Sequence, residues 1–221
     1  LDPMPYAHAM LSAAGSAPRS ATRRNLTMYF ANMFCYGNAQ DMVGITGIRG
    51  CLGVVYIGNG SMYAIHIPPA HDDEQKLGRK AFETFVKNNE QNVGNGSGYL
   101  FAFVNGKNRT GVVDEMKDMK KRLKSPPTAI YRIMKHLGPD SGGYSADSVV
   151  IMVERWHAST DNPSGCLMWY KRNDAVNWVG GGANESGQYK DRPSFKGDEV
   201  PDEFNAHWWR MDDMTCTITT V

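Results

Sequence analysis

Cys51 and His66 are the two residues whose types and spacing could do covalent chemistry. Cys51 closes the stretch Gly44-Ile45-Thr46-Gly47-Ile48-Arg49-Gly50 and opens an apolar run. His66 follows fifteen residues later, within Met62-Tyr63-Ala64-Ile65-His66-Ile67. An imidazole beside a thiol can take its proton, leaving a thiolate nucleophile, and can later hand that proton to a leaving group. The small residues before Cys51 would supply backbone N–H groups for an oxyanion. This chemistry requires both side chains on one face of whatever element carries them.

The local pattern supplies such an element. Residues 51–57 and 61–67 are apolar, β-branched and aromatic runs flanking Gly58-Asn59-Gly60, and Asn-Gly is the strongest two-residue hairpin signal. With Asn59-Gly60 as the turn, Gly58 faces Ser61 and paired positions sum to 119. His66 then lies opposite Gly53, two residues from Cys51, so the pair share a face as diagonal neighbours. A three-residue turn would send them to opposite faces. Gly53 leaves room between them. Val55, Ile57, Met62 and Ala64 make one face apolar, and Leu52, Val54, Tyr56, Tyr63, Ile65 and Ile67 the other, which predicts a hairpin covered on both sides.

The rest of the chain must hold that hairpin. Its 221 residues are 41% hydrophobic with a net charge of +1, enough for one full core. The near-neutral charge gives no footprint for nucleic acid or an anionic membrane, and no apolar run approaches the roughly 18 residues of a spanning helix. Residues 1–24, rich in Ala, Ser and Pro, read as a flexible lead-in. With Leu1 in place of a start Met, they suggest release from a larger delivery polypeptide. A first strand is expected over 25–36, a glycine-rich loop over 37–50, and a helix over 73–87 with Leu77, Ala81, Phe82, Phe85 and Val86 inward. A strand follows over 99–104, then helices over 113–123 and 128–137, the latter on the spacing of Ile130, Ile133, Met134 and Leu137. Strands are expected over 148–156, 166–171, 175–179 and 215–221, with a polar excursion over 180–202. This predicts an α+β fold, a central mostly antiparallel sheet or β-sandwich flanked by helices, with 25–221 as a single catalytic domain.

Gly50-Cys51 entering a strand, with His66 on the next strand, resembles the cysteine-dependent glutamine deamidases. These include the cytotoxic necrotizing factor toxins, the bacterial lethal-factor deamidases and the chemoreceptor glutamine deamidases. The resemblance covers residues 44–67. Ile48-Arg49-Gly50-Cys51 stands where the toxins commonly show Leu-Ser-Gly-Cys, so Arg49 replaces a small polar residue. The resemblance implies Cys51 as nucleophile, His66 as base, and Gly50 and Arg49 in the oxyanion loop. A third group orients the His. In some relatives it is a Thr six residues before the Cys, where this chain has Ile45 with Thr46 one place later. In others it is a backbone carbonyl on a preceding strand, which would fall within 25–34 here. The resemblance further implies a secreted bacterial toxin or effector, acting in the target-cell cytosol on a protein that carries the modified glutamine, with a cognate immunity protein as a further partner. No cofactor and no metal are expected.

Two other readings stay open. A papain-like protease or acyltransferase uses the same pair but places its Cys at a helix N-terminus, whereas Leu52-Gly53-Val54-Val55-Tyr56-Ile57 favours a strand. In an interaction domain Cys51 would simply be core, since cysteine is among the most buried residue types. Cys35, Cys166 and Cys216 read as small hydrophobes. His71-Asp72-Asp73-Glu74 reads as a helix start rather than a metal site. The glycines of 94–98 and 180–182 lack phosphate-loop spacing, and Trp208-Trp209 reads as a buried anchor. His157 and His207 read as structural. Lys117, Lys120, Lys121, Arg122 and Lys124 read as a solvated helix face.

Overall fold

The computed structural model describes residues 25–69, 71–94, 98–105, 111–133, 148–156, 165–172, 188–196, 199, 208–211 and 216–221. The expected lead-in, the strand over 175–179, His157 and His207 lie outside them, as do residues 134–137 and much of 180–202. Thirteen strands and two helices are described. In chain order they are β1 (Thr27–Ala31), β2 (Cys35–Ala39), β3 (Met42–Ile48), β4 (Leu52–Ile57), β5 (Met62–Ile67), α1 (Asp72–Asn89), β6 (Tyr99–Asn105), α2 (Val112–Arg122) and β7 (Thr128–Ile133). There follow β8 (Val149–Trp156), β9 (Gly165–Arg172), β10 (Lys190–Asp191), β11 (Phe195–Lys196), β12 (Trp209–Arg210) and β13 (Cys216–Thr220). They form two mixed, mostly antiparallel sheets. One runs β11-β1-β3-β8-β9-β12 and the other β10-β2-β5-β4-β6-β7-β13. The fold is the expected α+β architecture.

Alternation along the strands builds three layers. Between the sheets lie Tyr29, Val43, Ile45, Val55, Ile57, Ala64, Phe101, Phe103, Ile151 and Val153, with Cys51 among them. The outer face of the seven-stranded sheet packs Val54, Tyr56, Tyr63 and Ile65 against Phe82 and Val86 of α1 and Met116 and Met119 of α2. The outer face of the six-stranded sheet buries Met28, Phe30, Met152 and Trp169 against Trp208. The β4–β5 hairpin is thus covered on both sides, with the two apolar sets on the expected faces.

Three expectations are corrected. The expected single strand over 25–36 is two, broken at Asn32–Phe34, where Phe34 takes a left-handed φ of 60°. The chain crosses there from one sheet to the other. The expected loop over 37–50 is mostly strand, β2 and β3. Two of its glycines are spacers: a Cβ on Gly37 would strike the Tyr29 ring and one on Gly44 the Phe30 ring. The expected helix over 128–137 is strand β7 as far as Ile133, parallel to β6. Ile130 points to the helices and Ile133 to the inter-sheet core, so their spacing of three, read as one helical face, spans two faces of a strand. The helix over 72–89 is present with its acidic first turn, but Leu77 is exposed rather than inward.

Candidate active site

The hairpin register is the one the sequence implies. Gly58 N–H donates to Ser61 O at 2.9 Å across the Asn59-Gly60 turn, and Gly53 stands opposite His66. Hydrogen-bonded and non-hydrogen-bonded pairs alternate from that turn, which makes Gly53 and His66 a non-hydrogen-bonded pair, the kind whose side chains come closest. Cys51 and His66 therefore share the inter-sheet face at the open end of β4 and β5. The room above Gly53 is not empty, however. The δ-methyls of Ile45 and Ile48 reach across from β3, each 2.9 Å from where a Cβ on Gly53 would sit.

Two chain segments close over the pair. The first is the approach to Cys51, where Gly47 and Gly50 take left-handed φ values of 63° and 70° and the β3–β8 register shifts between Ile45 and Ile48. Such an irregularity turns a strand end aside and re-aims its side chains. The Cys51 thiol faces the carbonyls of Arg49 at 3.5 Å and Gly47 at 3.9 Å. A Cβ on Gly47 would lie 3.9 Å from His66 Cε1, so Gly47 neighbours both candidate side chains. The second segment is the corner Asn32–Phe34, whose Phe34 N–H donates to His66 O at 3.2 Å.

His66 is 1% exposed and Cys51 4%. Burial pulls the imidazole pKa down to about 4, against an opposing pull from the Ala31 carbonyl. Neither ring nitrogen has a hydrogen bond of full geometry, so the Ala31 contact acts on charge more than it fixes the ring. At neutral pH the imidazole is uncharged and able to accept a proton. Once protonated it would be a buried cation with one carbonyl to steady it. Both side chains are closed off from solvent, so a substrate could meet them only with the cover over residues 47–51 displaced.

Thr46 does not orient His66. Its hydroxyl donates to Asn32 Oδ1 at 2.5 Å and leans on the Ala31 carbonyl at 3.4 Å, the same carbonyl that faces the imidazole. That carbonyl belongs to β1, a strand preceding the site. Arg49 points to solvent and Gly50 is half-buried beside Pro69. One residue escaped the sequence reading. Asn105 ends β6, and the Gly53–Phe103 register of β4 and β6 carries on to set it across from Cys51. Its buried Nδ2 donates to Ile48 O at 3.3 Å, tethering the loop that leads to the thiol. The signal was a lone amide closing the apolar run Tyr99–Val104.

Among the described residues, no group of three or more His, Cys, Asp or Glu side chains could hold a metal ion, and no helix is long and apolar enough to cross a membrane. Cys35, Cys166 and Cys216 are buried and free of disulfides, and burial pushes the Cys166 thiol up. No protein-family model matches this sequence, and a search of curated proteins finds no match.

Proposed function

We propose that this protein hydrolyses the side-chain amide of a glutamine on a target protein, with Cys51 as nucleophile and His66 as base. The observation that carries the reading is the shared face of Cys51 and His66 at the end of the hairpin, with the Ala31 carbonyl turned to the imidazole. Cys51 opens a strand rather than a helix, which weighs against a papain-like arrangement. In the proposed reaction His66 takes the thiol proton as sulfur attacks the carboxamide carbon. The proton passes to the departing nitrogen, which leaves as ammonia. Water, deprotonated by His66, then cleaves the thioester to glutamate and restores the thiol. An amine in place of water would give transglutamination. The resemblance to the deamidase toxins extends the proposal to a delivered bacterial effector acting inside a target cell.

A second reading rests on the seal over the site: a thiol so enclosed suits an interaction domain in which Cys51 is core. Ammonia release from a glutamine-containing dipeptide, together with the alkylation rate of Cys51 by iodoacetamide, separates the two. The amidase reading expects both signals, with ammonia release lost in Cys51→Ala while the far-UV spectrum is kept. Ammonia release that persists in Cys51→Ala would end it, and alkylation no faster than a free model thiol would favour the interaction domain.

A further inference from the structure

A cleft of about 490 Å³ runs between α1 and α2, on the helical side of the molecule. Five of its eight lining residues are cationic, Lys76, Arg79, Lys80, Lys87 and Arg122, and two are anionic, Glu83 and Asp118. The lining carries three more positive than negative charges, with Lys76 lying 3.7 Å from Asp73. Lys76, Lys80, Thr84 and Lys87 follow helical spacing along one stripe of α1, with a rise of roughly 16 Å from first to last.

The arginines of the cleft are held in place. Arg122 Nε donates to Glu83 Oε2 at 2.7 Å, and Arg79 Nη1 lies 3.2 Å from Glu115 Oε2. Arg79 is nearly buried, 8% exposed, and that Nη1 lacks a hydrogen bond of full geometry. Glu83 and Arg122 thus neutralise one another, Asp118 remains as the second carboxylate of the lining, and Lys80, Lys87 and the Thr84 hydroxyl stand at the exposed rim. A row of exposed ammonium groups suits an anion, and a row three turns long suits a ligand with several negative groups. The volume is that of a small-molecule site.

We propose that this interhelical cleft binds a small molecule carrying two or more phosphate groups. The proposal stands apart from the chemistry at Cys51. Calorimetric titration of the full chain with inorganic tripolyphosphate at about 0.15 M salt tests it. One tripolyphosphate should bind per chain, at least about tenfold tighter than orthophosphate, equivalent to about 1.4 kcal/mol. The double variant Lys80→Glu, Lys87→Glu should weaken binding by more than about tenfold. Lys117→Glu, Lys121→Glu makes the same charge change on exposed positions that do not line the cleft, and should stay within about twofold. Both pairs are exposed, so a matching far-UV spectrum and melting curve confirm that each variant folds. Equal weakening by the two double variants would overturn the proposal, as would binding indifferent to Lys80 and Lys87, or a hexaglutamate peptide that binds as tightly as tripolyphosphate.

Discussion

A fully buried imidazole makes this fold sensitive to acid. His66 has a pKa of about 4 in the folded chain because burial penalises its charged form, against about 6.5 when unfolded. As pH falls below 6.5 the unfolded chain takes up the proton first, so stability is lost down to about pH 4 and is flat below it. The difference amounts to about 3 kcal/mol. The urea midpoint of the wild type should fall across this window more steeply than that of His66→Gln, and equal slopes would place the acid sensitivity elsewhere. In the proposed reaction the same burial makes the closed-state ring a weak base, so opening the site would raise its basicity and relieve the acid sensitivity together. Cys51 and His66 were legible as a pair because fifteen residues of hairpin fix their register. Ala31 could not be singled out within the span 25–34, and Asn105 was not legible, because each reaches the site from a strand whose pairing the sequence does not state.

At the level of elements, glycine misled and then explained. Four glycines within 37–50 suggest a loop when read singly. In the structure Gly37 and Gly44 lie in strands where neighbouring chain passes too close for a side chain, a recognised use of strand glycine. Only Gly47 and Gly50 are required by backbone conformation. The two uses predict different costs. A methyl on Gly44 would meet the Phe30 ring and the Ile151 carbonyl, neither free to retreat, so Gly44→Ala should cost about 3 kcal/mol or more as overpacking. A methyl on Gly47 has room, 3.9 Å from His66 Cε1, and meets only the left-handed penalty, about 1–2 kcal/mol. Chemical denaturation should rank Gly44→Ala as the less stable of the two, and the reverse order would refute the spacer role. Strand β7 was hidden for a related reason. Being buried on both faces except at Arg132, it shows no clear alternation, and a short, mostly apolar stretch fits either a buried strand or a helix.

At the scale of the whole molecule the same hairpin is held at its other end by all three layers. Arg155, on β8 of the six-stranded sheet, donates to the carbonyls of Gly58, Asn59 and Ser61 in the β4–β5 turn. Glu90, at the end of α1, accepts from Gly60 N–H at 3.3 Å and from the Tyr63 hydroxyl at 3.5 Å. The sequence shows the turn but not its clamp, because Arg155 lies 97 residues from Gly58 and nothing local marks it. The guanidinium is 4% exposed at the residue level, so its hydrogen bonds to carbonyls substitute for lost water, and removing it strands buried acceptors. Arg155→Met keeps much of the length and none of the donors, and should cost about 3 kcal/mol of unfolding free energy. The turn is at the opposite end of the hairpin from Cys51, so the iodoacetamide rate measured under strongly native conditions should match wild type. A loss of stability with unchanged Cys51 reactivity would separate the clamp from the site. Faster alkylation under native conditions would instead mean that the turn and the loop of residues 47–51 open together, with Arg155 holding both.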